Sequence, residues 1–288
     1  LVQQKSKLNR RNFLAYASVW LGSCSTLSCG TLPQSKNLVV AFSPESFEIK
    51  SYTLRASNLS GLRILLLTDL HFGHFAKEDL LHSLSKTLPH LIRSCDIILL
   101  AGDYYYLENG AVKSPQLVEK IKSLFEAFLF FLKDFSKPVI GVLGNHDRKL
   151  YFMNHAESFS KAGAKLLVNE TIEVNQVKIW GSDDYLTGFP QELRSSVDLV
   201  LTHSPDYYCF YLKNAPHLFK ACLAGHTHGG QIRLPYMQPF LLNIGCTQYL
   251  EGLFFEPPNY LLVSKGIGFV GLPIRLYCPP ELSVVAFQ

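Results

Sequence analysis

The sequence predicts an α/β protein, and two observations carry that reading. Short apolar runs of strand length recur at residues 62–68, 96–101, 139–143, 197–202 and 219–224. The first three are each followed by a stretch of helical period, at about 77–94, 115–135 and 152–162, and that alternation is the mark of βα units. Each run also stops at a residue able to hold a ligand. The runs lead into Asp69-Leu70-His71, Gly102-Asp103, Gly144-Asn145-His146-Asp147, His203 and Gly225-His226-Thr227-His228-Gly229-Gly230-Gln231. Sheets of this class bind ligands outside the carboxyl ends of their strands, so the recurrence argues for one composite site. In the last block, glycines flank an H-x-H that offers two imidazoles from a strand edge, and imidazole is the commonest protein ligand for metals.

Taken in order, residues 1–30 read as an N-terminal signal or membrane-anchor segment. A basic stretch ending in Arg10-Arg11-Asn12-Phe13-Leu14 precedes an apolar region of about nine residues, the length of an export signal and short of the roughly 20 that span a bilayer. The paired arginines resemble a twin-arginine signal, a route for proteins that fold before crossing, and Leu21-Gly22-Ser23-Cys24 resembles a lipidation site. Residues 31–58 read as a linker and lead-in strand, with alternation on either side of Lys50-Ser51. Residues 59–288 form the main domain. After the third helix the pattern turns to strands, at 165–168, 171–174, 177–181, 260–263 and 282–287 as well as the two runs already named. There is no internal repeat.

Composition narrows the function. The chain has 288 residues, 48% of them hydrophobic, enough for a large core, and a net charge of +4 with 17% charged residues. That charge is too small and too scattered for a nucleic-acid footprint. Seven cysteines without a C-x-x-C pair imply neither a zinc knuckle nor a disulfide framework, and the five beyond residue 90 are expected to be buried thiols.

The blocks D-x-H, G-D, G-N-H-D, H and G-H-x-H, in this order from Asp69 to His228, resemble the signature of the calcineurin-like metallophosphoesterases, and the closing G-H-T-H-G-G-Q resembles the bacterial YkuE/YaeI-like branch. Any one block is common; five in order, each ending a strand, are not. The resemblance implies a four-layer αββα sandwich of two mixed β-sheets flanked by helices. It also implies two divalent metal ions, with Mn favoured and Fe or Zn as alternatives. Asp69, His71 and His228 would hold one ion, Asn145, His203 and His226 the other, and Asp103 would bridge them. Two such ions about 3.5–4 Å apart activate water near neutral pH and clamp the phosphoryl oxygens of an in-line displacement. His146 would face the leaving-group oxygen, with Asp147 holding its other ring nitrogen.

Two further features are substrate-side candidates: Asp183-Asp184, which follows the strand at 177–181, and Phe130-Phe131, on a helix whose apolar surface is wider than one core-facing stripe requires. The second is either a helix wedged between the sheet and another element or a membrane or acyl-chain contact. The expected function is a phosphoester or pyrophosphate hydrolase at the membrane. Similar to this branch is the chlamydial enzyme that cleaves UDP-2,3-diacylglucosamine to lipid X and UMP in lipid A synthesis, which would place the protein at the cytoplasmic face. An exported phosphodiesterase acting on envelope phosphodiesters is the alternative if the twin-arginine pattern is used. A metal-stabilised binding module without turnover is the third reading, and it sits poorly with a complete set of ligands.

Overall fold

The computed structural model describes residues 38–39, 42–73, 78–107, 114–234, 236, 239 and 248–288. The signal segment and its Cys24 lie outside the described residues. In chain order the elements are β1 (Leu38–Val39), β2 (Glu48–Leu54), β3 (Arg63–Leu67), β4 (Phe72–Gly73), α1 (Glu78–Arg93), β5 (Ile97–Leu100), β6 (Tyr105–Tyr106), α2 (Pro115–Lys133) and β7 (Val139–Val142). There follow α3 (Asn145–Lys149), α4 (His155–Lys161), β8 (Lys165–Leu167), β9 (Glu170–Val174), β10 (Val177–Gly181), β11 (Leu199–Leu201), β12 (Ala221–Ala224), β13 (Gly252–Glu256), β14 (Asn259–Val263), β15 (Arg275–Leu276) and β16 (Glu281–Phe287).

Twelve of these strands form two six-stranded mixed sheets, ordered β2-β16-β3-β5-β7-β8 and β13-β14-β12-β11-β10-β9. In the first, β3, β5, β7 and β8 run parallel. In the second, β10, β11, β12 and β14 run parallel. The strand alternation decides the layering. Ile64, Leu66, Ile97, Leu99 and Val142 of the first sheet share one core with Ile179, Leu199, Leu201, Leu223 and Leu262 of the second, so the two sheets lie face to face. The alternate residues of the first sheet, Leu65, Leu67, Ile98 and Leu100, pack instead with α1, α2 and α4. Those of the second, Val200, Cys222, Leu261 and Val263, pack against Tyr207, Tyr208, Leu212 and Phe219. The αββα order is therefore present, with a thin fourth layer made of short helical turns at Tyr208–Leu212 and Pro216–Leu218.

Helix α2 is capped by the Ser114 side chain, which accepts from the Leu117 N–H, with Pro115 in its first turn. Its apolar surface is wide because it touches three neighbours: the first sheet, α1 and α4. Phe125 stacks on Tyr104, with ring centroids 4.5 Å apart, directly behind the turn that carries Asp103. Burying such a side chain contributes about 1.5–3 kcal/mol. Phe131 packs between Phe128 and Phe135, and only Phe130 is exposed, with the Lys133 ammonium 5.7 Å from its ring centre. The wedged-helix reading is the one the packing favours.

The cysteine expectation is corrected at one position. Cys95, Cys222 and Cys278 are buried free thiols, but Cys209 is disulfide-bonded. Among the described residues, no helix is long and apolar enough to cross a membrane.

Candidate metal centre

Because β3, β5 and β7 are parallel, their carboxyl ends deliver Asp69 and His71, Asp103, and Asn145 to one edge of the first sheet. The parallel set β10, β11 and β12 delivers Asp183-Asp184, His203, and His226 with His228 from the second. The turns are costly. Asp69, His71, Asp103, His226 and His228 all have φ between 50° and 72°, a left-handed conformation that costs a non-glycine residue about 1–3 kcal/mol and persists only where surroundings impose it. Glycine is required beside them: a Cβ on Gly144 or on Gly225 would collide with the side chain of Asp103 or of Thr68 and Asp69.

The predicted ligands converge as two groups. In the first, the Nε2 atoms of His71 and His228 are 3.0 Å apart, and Asp69 Oδ1 lies 3.5 Å from His228 Nε2 and 4.0 Å from His71 Nε2. In the second, His203 Nε2 lies 3.1 Å from His226 Nδ1, 3.2 Å from Asn145 Oδ1 and 3.2 Å from Asp103 Oδ2. Asp103 Oδ2 is also 3.6 Å from His71 Nε2, so one carboxylate oxygen reaches both groups. Asp69, His71 and His228 form one cluster with metal-ligand spacing, and Asp103, His203 and His226 the other.

The groups fit cations on physical grounds. His71 Nδ1 and His203 Nδ1 face the carbonyl oxygens of Tyr105 and Ala101, at 3.3 and 2.8 Å, which puts their protons on Nδ1 and turns the Nε2 lone pairs inward, as in ligating histidines. Buried lone pairs aimed at one another are unfavourable unless something positive lies between them. The electrostatics show the same demand. Burial pushes the imidazoles of His71 and His226 down to about 3 and lifts the Asp69 carboxyl to about 6. His203 goes the other way: burial opposes its charge, but the adjoining Asp103 carboxylate raises it to about 10. Asp103 is held well below the usual carboxylate range, with burial outweighed by the charges of His203 and His146. A proton on His203 thus supplies charge that a bound ion would replace.

Around this centre the candidates divide. His146 is half-buried at the rim. Its backbone N–H donates to Asp103 Oδ1 at 2.8 Å, and its ring meets that of His71 edge-on at 5.0 Å. Asp147 does not orient it. The Asp147 carboxylate accepts from the backbone N–H groups of Asp103, Tyr104 and Gly144, at 2.7, 2.8 and 2.9 Å. It is a knot that fixes the Asp103 turn rather than a partner of the His146 ring. Three donors converging on one carboxylate satisfy a first helical turn and a strained loop together. Asp184 is buried, and its charge is felt at both His146 and His203. Asp183 pairs with Arg148 and accepts from the Phe189 N–H. Phe130 and Phe131 belong to α2, whose packing supports the centre from behind. Sequence reasoning passed over Lys149, exposed one turn beyond His146 and acting electrostatically on His146 and His226. It also passed over Arg275, which touches His228. The spacing of Lys149 from His146 on one short helix could have drawn attention to it; nothing local marks Arg275.

The sandwich and its paired ligand groups define a metal-dependent phosphoester hydrolase. The chain belongs to the calcineurin-like phosphoesterase family, whose model matches residues 62–230. It is similar to the metallophosphoesterase YkuE of Bacillus subtilis, at 26% identity over 98% of both chains. It is also similar to the metallophosphoesterase YkoQ of the same organism, at 30% identity over 77% of this chain and 82% of that one. The phosphodiesterase YaeI of Escherichia coli is 27% identical over 84% of this chain and 88% of its own.

Proposed function

We propose that the protein cleaves a lipid-linked phosphodiester or pyrophosphate at a membrane surface, and that UDP-2,3-diacylglucosamine, giving lipid X and UMP, is the substrate that fits best. The observation that carries the hydrolytic part is Asp103 Oδ2 within 3.2 Å of one ligand group and 3.6 Å of the other. Divalent ions held by the two groups would supply water activation and neutralise phosphoryl charge in an in-line displacement. The chain supplies the rest. His146, fixed through its backbone to Asp103, holds a ring N–H for the leaving-group oxygen. Burial lowers its pKa, so near neutral pH it acts as an uncharged donor that stabilises charge developing on that oxygen.

The rim supports a diphosphate and a lipid. Lys149 makes no ion pair among the described residues and its charge is felt at His146 and His226, which suits a second phosphoryl group adjoining the cleaved one. The loop after Asp184 exposes Leu186 and Phe189, the latter 83% exposed, and Phe210 stands exposed and stacked on Tyr185. Exposed apolar groups beside a phosphoesterase centre suit an acyl-bearing leaving group.

One observation favours the second reading, an exported phosphodiesterase acting on envelope phosphodiesters: the disulfide at Cys209, a bond that persists in oxidising compartments. Hydrolysis of UDP-2,3-diacylglucosamine beside bis-p-nitrophenyl phosphate, by Mn-loaded full-length protein in detergent with Asp103→Ala as blank, separates the two. Fast UMP release with slow action on the generic diester is expected. Action on the generic diester alone would discard the lipid A reading and favour export.

A further inference from the structure

The two ligand groups differ in what stands behind their imidazoles. His71 and His203 rest their outer nitrogens on carbonyl oxygens. His228 rests its outer nitrogen on a donor: Arg275 Nη2 lies 3.1 Å from His228 Nδ1. Arg275 is fully buried. It also donates to carbonyls, from Nε to Gly268 at 2.9 Å, from Nη2 to Lys265 at 3.0 Å, and from Nη1 to His228 at 3.4 Å and Cys278 at 3.5 Å, and the Cys278 side chain is a further hydrogen-bond partner. Among the described residues no carboxylate lies within ion-pair distance of it, and the charges of Asp69 and Glu281 are felt at its guanidinium. A guanidinium keeps its charge in proteins, so a permanent cation sits one imidazole away from where the first ion would bind.

A donor there requires the lone pair of Nδ1, so a neutral His228 carries its proton on Nε2, which an ion must displace to bind, the reverse of the usual support that leaves the ligating nitrogen free and more basic. The unpaired charge also repels a cation through a buried, weakly screened path. Without it, the Asp69–His71–His228 position would be the more attractive of the two, since it has a carboxylate of its own as well as a share of Asp103. We propose that Arg275 is a positioning residue that weakens the Asp69–His71–His228 position for its ion, so that the Asp103–Asn145–His203–His226 position fills first and the other exchanges more readily. This rests on the two-ion reading of the centre.

A purely structural Arg275 predicts the opposite sign. The same guanidinium bonds anchor the loop from Lys265 to Gly268, which packs on Asp69 and His71. If anchoring were its whole role, removing it would loosen the ion. The test is a Mn titration of the metal-free full-length protein, with free ion followed by electron paramagnetic resonance. Wild type should bind two ions in steps separated by tenfold or more, and His71→Ala should lose the weaker step only. Arg275→Met should tighten the weaker step by about 10–100-fold, the scale of outer-contact effects on metal affinity, while Arg275→Lys keeps it weak. Weaker or unchanged binding in folded Arg275→Met overturns the proposal. If Arg275→Met does not fold, wild type and His71→Ala decide it: indistinguishable steps in wild type, or loss of the tighter step in His71→Ala, overturn it. Failure of wild type to bind two ions would instead overturn the two-ion reading.

Discussion

The two sheets contribute unlike donors to the centre. The first gives the oxygen ligands Asp69, Asp103 and Asn145 with one imidazole, His71; the second gives imidazoles alone, His203, His226 and His228. Neither position is complete on one sheet, because Asp69 and His71 need His228, and Asp103 and Asn145 need His203 and His226. The lesson is that ions held in these positions would act across the sandwich. Their binding free energy is also energy for closing one sheet edge on the other, as expected wherever ligands come together only in the folded chain. The backbone points the same way, since the strained φ values sit on both sides of the gap, at Asp69, His71 and Asp103 on one and at His226 and His228 on the other.

Stripping the ions should break the comparison most severely. Exhaustive chelation is expected to abolish phosphodiester hydrolysis and lower the melting temperature, and Mn should restore both; an unchanged melting temperature would mean that the ions do not bridge the sheets. Next in size is His146→Ala, which removes a rim donor without removing a ligand. Turnover should fall by about 10²–10⁴-fold with metal content unchanged, whereas loss of metal would show the ring to be structural. Asp147→Ala attacks the first sheet alone. It leaves the N–H groups of Asp103, Tyr104 and Gly144 without their acceptor, a loss of about 3 kcal/mol or more, readable as a drop in unfolding free energy.

Last comes the pH dependence of the metal-free protein. His71 and His226, depressed to about 3, give stability that is complete above the unfolded value of about 6.5 and is lost as pH falls toward 3. His203, raised to about 10, gives stability that is complete below about 6.5 and is lost as pH rises through 10. The melting temperature without metal should therefore peak near pH ~6.5. A curve rising steadily to pH 10 would show that His203 and Asp103 are not paired.

Much of this was legible in the residues because it is periodic or local. Strand alternation from 62 to 67 and from 97 to 100 assigns one set of leucines and isoleucines to each face, and the observed strands lie within a residue or two of the predicted ones. The seven candidate ligands were legible because each follows a strand, and the structure brings them together in two groups. What was missed is long-range or written in backbone angles. Arg275 meets His228 across 47 positions of chain, and no local pattern announces such a contact. Asp147 looked like a partner for its neighbour His146, but on α3 their side chains diverge, and the Asp103 turn 44 residues earlier claims its carboxylate. The aromatic width of α2 left a wedged helix and a lipid contact both open, because sequence periodicity shows how wide an apolar face is and not how many elements share it. Strand β13 escaped notice because its five residues border the Pro257-Pro258 turn and pair only with β14.

The central claim is a two-ion centre held across two sheets by Asp103. Its most direct test is the number of Mn ions per chain in wild type and Asp103→Ala, by equilibrium dialysis and elemental analysis, with circular dichroism confirming the fold. The account predicts two ions in wild type and no more than one, weakly held, in the variant. Two tightly bound ions in folded Asp103→Ala would contradict it.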